Sequence, residues 1–141
     1  MGENKVSVLF QVSKVNLARA KKRLEGEEYD SAVFQASMAV ENAVNAMILE
    51  LGGTEARNHR AVSGLAAVLR TVNPELLQEE RFRELIETGR EIQREVVYTR
   101  YPLMVEGKWI TPMEYYTEEK ARKVYEDAKH IVNTIKEYLN S

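Results

Sequence analysis

The chain contains no cysteine, which excludes disulfide bonds and every thiolate metal centre. A reducing, cytoplasmic setting is the expectation that fits. Prolines number 3 and glycines 7 in 141 residues, too few turn formers for a sandwich of many short strands. No uninterrupted apolar run approaches the ~18 residues of a membrane span, so no membrane partner is expected. Residues 1–5 lack the apolar stretch of a signal peptide. An excess of either charge is also missing: 20 basic residues face 22 acidic ones, a net charge of -2. That balance argues against a generic polyanion-binding surface while leaving room for a local basic patch. Aspartate is nearly absent, with only Asp30 and Asp127. Glutamate tolerates helix interiors whereas aspartate prefers caps and turns, so the bias itself points to helix.

What is present is helical periodicity. From Val6 to Leu24, the residues Phe10, Ser13, Leu17, Ala20 and Leu24 recur in steps of three and four and form one stripe. Gly26 is the expected stop. A second helix is expected from Glu28 to Leu51, ahead of Gly52-Gly53. Its alanines 32, 36, 39, 43 and 46 allow close helix approach. A second arc holds Phe34, Met38, Glu41, Asn45 and Ile48, so this helix should be central and should leave enough apolar surface to drive homodimerisation. A shorter helix is expected from His59 to Leu69, and another from Pro74 to Tyr98 with Gly89 as a bend. The last opens on Thr117 as N-cap and carries Ala121, Val124, Ala128, Ile131, Ile135 and Tyr138. Residues 99–116 are too long for a bundle turn and too aromatic for disorder, which marks a functional loop. The expected architecture is therefore a single all-α domain over 1–141, an up-and-down antiparallel bundle of four to five helices.

The common catalytic signatures are missing: no glycine-rich phosphate loop, no His-Glu-x-x-His helix, no cysteine nucleophile. A ferritin-like di-iron site needs two Glu-x-x-His pairs, and Asp127-x-x-His130 is the nearest match. No metal or cofactor is expected. The candidates are binding residues. Arg57 and His59 sit in Arg57-Asn58-His59-Arg60 at a helix start, where backbone N–H groups and guanidinium forks suit a phosphate. Arg94, Tyr98, Arg100 and Tyr101 combine guanidinium groups with aromatic faces that stack a base. The competing reading makes the tyrosines core plugs, pairs the arginines with Glu91 or Glu95, and gives Glu41 an arginine from the helix ending at Tyr98.

Three stretches carry a family resemblance: Tyr29-Asp30 through Glu41-Asn42-Ala43, then Asn58-His59 through Leu65, then Thr99-Arg100-Tyr101-Pro102 followed by Glu114-Tyr115-Tyr116-Thr117-Glu118-Glu119. In this order they resemble HEPN domains, the nucleotide-binding helical domains of higher eukaryotes and prokaryotes. The resemblance implies a helical homodimer, often partnered with a minimal nucleotidyltransferase in toxin–antitoxin-type modules. It also implies a nucleotide-binding role for His59 and for Arg100, Tyr101 and Pro102. Many HEPN proteins are metal-independent ribonucleases with an Arg-x(4–6)-His pattern. Here Arg57 and His59 are separated by one residue, and Arg122 and His130 by seven. The expectation is accordingly a binding protein without catalysis of its own. The alternatives are a ribonuclease toxin with a rearranged arginine–histidine pair, or a pure dimerisation module.

Overall fold

The computed structural model describes residues 4–141. Its helices are α1 (Lys5–Glu25), α2 (Tyr29–Glu50), α3 (Ala61–Val72), α4 (Glu80–Tyr98), α5 (Pro112–Tyr115) and α6 (Glu118–Leu139). A 3₁₀ turn, Pro74–Gln78, joins α3 to α4, and a two-stranded hairpin, β1 (Leu103–Val105) and β2 (Lys108–Ile110), lies between α4 and α5. The architecture is a helix bundle with α2 at its centre, touching α1, α3, α4 and α6. By length and composition α2 could reach across a membrane, but most of that apolar surface is covered by its neighbours. Covering it removes the ground on which α2 was expected to drive homodimerisation.

Caps set the helix ends where polar side chains stand ready. Asn4 accepts from the Ser7 N–H at 2.9 Å to start α1, and Thr117 accepts from the Lys120 N–H at 3.2 Å to start α6, as expected. Among the described residues, the polar side chains inside the bundle are all partnered. The Ser13 hydroxyl donates to the Ala39 carbonyl at 2.6 Å and ties α1 to α2. Asn45, almost fully buried, accepts from the Ala56 N–H at 3.0 Å and donates to the Ala56 carbonyl at 3.3 Å. That bracket holds the connection after α2 against the bundle.

Four expectations need correction. The third helix begins at Ala61, not His59, because Asn58 and His59 adopt left-handed backbone with φ of 59° and 60°. The run from Pro74 is not one helix: the 3₁₀ turn stops at Glu79, whose extended backbone restarts the chain as α4. Residues 99–116 are not an open loop. Glu106 and Gly107, at φ of 47° and 80°, make the two-residue turn that lets Leu103–Val105 pair with Lys108–Ile110. Thr111 and Glu114 then form a reciprocal capping box around Pro112 to start α5.

Gly89, finally, marks a close approach and not a bend. A β-carbon there would sit 2.9 Å and 3.1 Å from the two γ-carbons of Val62, so α3 rests directly on the α4 backbone. Turning Val62 about its χ1 leaves one methyl in the way. Gly89→Ala gains about 1 kcal/mol of helix propensity, but overpacking of about 1–3 kcal/mol exceeds it. We expect a lower melting temperature by thermal circular dichroism, and recovery in Gly89→Ala/Val62→Ala.

Candidate functional site

The start of α3 holds two of the candidate residues, Arg57 and His59. His59 faces α2, and its Nδ1 lies 3.0 Å from Oε2 of Glu41. A carboxylate only accepts, so Nδ1 carries a proton and donates it to Glu41. Glu41 therefore pairs with His59 and not with an arginine of α4. The Glu41 side chain is 17% exposed; without a partner its charge would be costly to bury. The left-handed backbone at Asn58 and His59 delivers the ring to it, and both residue types tolerate that conformation.

The first turn of α3 has no side-chain cap from Arg60, its N-cap residue. One of its free donors, the Val62 N–H, is taken by Oε1 of Gln93 on α4 at 3.0 Å. This contact fixes the α3 start beside the C-terminal half of α4. Arg94 is the next residue, and on an α-helix Arg83, Arg90 and Arg94 share a face, separated by two turns and then one. All three are exposed, and they line an open groove of about 480 Å³ with Leu77, Ile86, Glu87 and Glu91. Among the described residues, none of the three belongs to an ion pair, and neither do Arg57 and Arg60. Unpaired guanidinium groups keep all their donors available for a phosphate. Beneath His59 the bundle closes: the cavity lined by Glu41, His59, Val62 and Gln93 is about 10 Å³, room for a single water. Any larger ligand lies on the outer surface.

Arg100, Tyr98 and Tyr101 are elsewhere. Arg100 sits over the Phe34 ring at 5.1 Å, in an open cleft with Arg23, Asp30 and Gln35. Phe34 and Glu41 are seven residues apart on α2, about 10 Å along its axis, so Arg100 does not join the His59 group and is no partner of Glu41. Tyr98 lies 5.9 Å from Tyr115, and Tyr101 is 62% exposed. Neither is a core plug. The residue that plugs this end is Tyr116, which is buried and donates its hydroxyl to the Glu95 carboxylate. Burial, together with that carboxylate, pushes its phenol well above the usual range, so it remains a donor. Glu95 is thereby occupied and does not pair with Arg94. His130 is exposed on α6, and Arg122 is paired with Glu118 at 3.0 Å.

The comparisons with known proteins agree with this architecture. The HEPN domain family profile matches residues 6–138. The chain is a HEPN-domain protein. A relative from Methanocaldococcus jannaschii, named "Putative toxin MJ1304", is 33% identical over 128 residues, covering 88% of this chain and 81% of the relative. Among solved structures, TT1696 from Thermus thermophilus superposes with a TM-score of 0.76 at 22% identity, covering 96% of this HEPN chain and 98% of that one. ST0689, described as an archaeal HEPN homologue, gives 0.69 at 21% identity with the same coverage. At such identities the two structures speak for the fold alone.

Sequence reasoning singled out the Arg57–Arg60 cluster with His59, and Arg94, but missed Arg83, Arg90 and Gln93. The spacing of Arg83, Arg90 and Arg94 was a usable signal. Gln93 gave none, because its role rests on a contact 31 residues away in the chain.

Proposed function

We propose that this HEPN chain is the ligand-binding member of a toxin–antitoxin-type module, taking an RNA-type ligand on the arginine face of α4 and the α3 start without cleaving it. The observation that carries the reading is the set of unpaired arginines 83, 90 and 94 on one helix face, with Arg57 and Arg60 at the α3 start that Gln93 of the same helix contacts. Five guanidinium groups without carboxylate partners suit a run of phosphates. The relative named as a putative toxin supports the module, and the family resemblance supports a minimal nucleotidyltransferase as protein partner.

One observation favours a second reading, a ribonuclease. Glu41 holds His59 through Nδ1 as a carboxylate orients a general base, which leaves Nε2 for proton transfer. The test is incubation of a fluorescent single-stranded RNA with the protein in EDTA. The proposal expects an anisotropy increase with the RNA intact after overnight incubation. Cleavage that disappears in His59→Ala would replace it with the ribonuclease reading.

We also propose a homodimer, formed through the hairpin end and not through α2. Met104 and Trp109 are cross-strand partners and therefore share a face. Trp109 is 70% exposed. A lone two-stranded hairpin is marginal in water, and covering its largest ring stabilises it. Glu106 lies in the turn and Lys108 directly after it, so a two-fold contact can pair each with its opposite in the other copy. Light scattering at micromolar concentration is expected to give a dimer mass, with Trp109→Glu monomeric and still helical. A dimer that survives Trp109→Glu would place the interface elsewhere.

A further inference from the structure

α1 lays Ser13, Ala20 and Leu24, with the half-buried Phe10 and Leu17, against the bundle. Its outer face is unusual for a helix that meets only water. Val8, Val12 and Val15 are 42%, 43% and 48% exposed. With Arg19 and Lys22 they form one stripe in steps of four, three, four and three. That alternation is the seam of a helix that receives another helix. Valine is also a poor helix former, its χ1 being restricted against the preceding turn. Three valines on one solvent-facing stripe therefore contribute little to α1 itself and gain from being covered.

Charge narrows the choice of what covers them. α1 carries six cationic residues, Lys5, Lys14, Arg19, Lys21, Lys22 and Arg23, against the single acid Glu25, in a chain whose net charge is -2. Lys5 is paired with Glu55, and Arg23 with Glu28. Lys14, Arg19, Lys21 and Lys22 have no ion-pair partner among the described residues. The valine seam thus runs into uncompensated positive charge at its C-terminal end.

We propose that this face of α1 receives an amphipathic helix of a different protein, one whose apolar seam is flanked by glutamates or aspartates. A second copy of this chain fits poorly. Parallel pairing through the same face sets Arg19 and Lys22 on their own counterparts, and antiparallel pairing sets them on the valines. An offset contact with another part of a second copy is heterologous and does not close into a dimer. Acidic side chains at the flanking positions of a foreign helix neutralise Arg19 and Lys22 while its apolar residues cover Val8, Val12 and Val15. The proposal uses none of the arginines of α4, so it and the RNA-binding reading stand or fall separately.

The test uses two synthetic 21-residue peptides with leucine at heptad positions a and d, one with glutamate at e and g and the other with lysine. Like charges keep each peptide from pairing with itself. Anisotropy titration with the full chain is expected to show the acidic peptide binding at least tenfold more tightly than the lysine peptide. Arg19→Glu/Lys22→Glu should reverse that preference. Val12→Asp should remove binding of the acidic peptide while leaving the melting temperature and RNA binding unchanged, because Val12 faces outward. Equal affinity for the two peptides, binding of neither, or retention of the acidic peptide by Val12→Asp overturns the proposal. So does a change in the protein's own mass by light scattering on Val12→Asp, which would make a second copy the occupant.

Discussion

Replacing Arg83, Arg90 and Arg94 together with alanine is expected to weaken single-stranded RNA binding by about 100-fold, with the melting temperature unchanged. Each of the three is exposed and free of ion pairs, so its removal strands no carboxylate and opens no cavity. Losing one solvent-facing guanidinium–phosphate contact costs about 1 kcal/mol, and three such losses reach a 100-fold change in affinity. Glu87 and Glu91 remain in the groove and turn its local charge negative, which adds to the loss. Arg122→Ala on α6 serves as the control. It removes a cation of the same kind, paired at 3.0 Å with Glu118 on an exposed surface, and is expected to change affinity less than twofold.

The largest stability effect outside the apolar core is expected at Asn45. Its side chain holds both backbone groups of Ala56, and alanine in its place leaves that N–H and carbonyl unpaired in a half-buried setting. Two lost hydrogen bonds and the exposed desolvation cost sum to about 2–3 kcal/mol. For a chain of this length that is a fall of roughly 10 °C in melting temperature. The variant also tests how the site is built, because the segment that Asn45 clamps carries Arg57, His59 and Arg60 to the start of α3. RNA affinity should therefore fall in Asn45→Ala even well below its melting temperature. Asn45→Asp keeps the acceptor for the Ala56 N–H but loses the donor, and should recover only part of both properties.

Much of the helical framework was legible because its signals are local. Stripes of apolar residues at steps of three and four marked α1, α2 and α6, and Thr117 capped α6 as its side chain and the following glutamates indicated. The failures occurred where a tertiary contact or a special backbone overrides periodicity. Nothing local announces that Asn58 and His59 turn left-handed and delay α3, since their geometry is held by Glu41, 18 residues earlier. The hairpin escaped because its strands are three residues each, too short for alternation to register. Gly89 was misread for a related reason. A glycine inside a helical pattern suggests a bend until the neighbour occupying its missing side chain is known, and that neighbour is Val62.

The candidate site was legible in part. Basic residues beside a helix start pointed to Arg57 and His59, but the α4 residue that touches that start is Gln93, while Arg94 lines a groove with Arg83 and Arg90. Arg100, Tyr98 and Tyr101 were grouped with them on chemistry alone, but they belong to the far end of α4, with Arg100 over Phe34. The arginine stripe of α4 was readable by its spacing, yet the intervening Glu84, Glu87 and Glu91 made it look like an ordinary solvated helix face. Only the absence of ion pairs on Arg83, Arg90 and Arg94 separates the two.

The most direct measurement is the salt dependence of single-stranded RNA binding, taken for the unmodified protein and for Arg83→Ala/Arg90→Ala/Arg94→Ala. Each phosphate contacted by a cation contributes about 0.7 to the slope of log affinity against log salt concentration. The arginine face predicts a steep negative slope for the unmodified protein, and one shallower by about 2 for the triple variant. Equal slopes in the two proteins would mean that these arginines meet no phosphate, and would contradict the account.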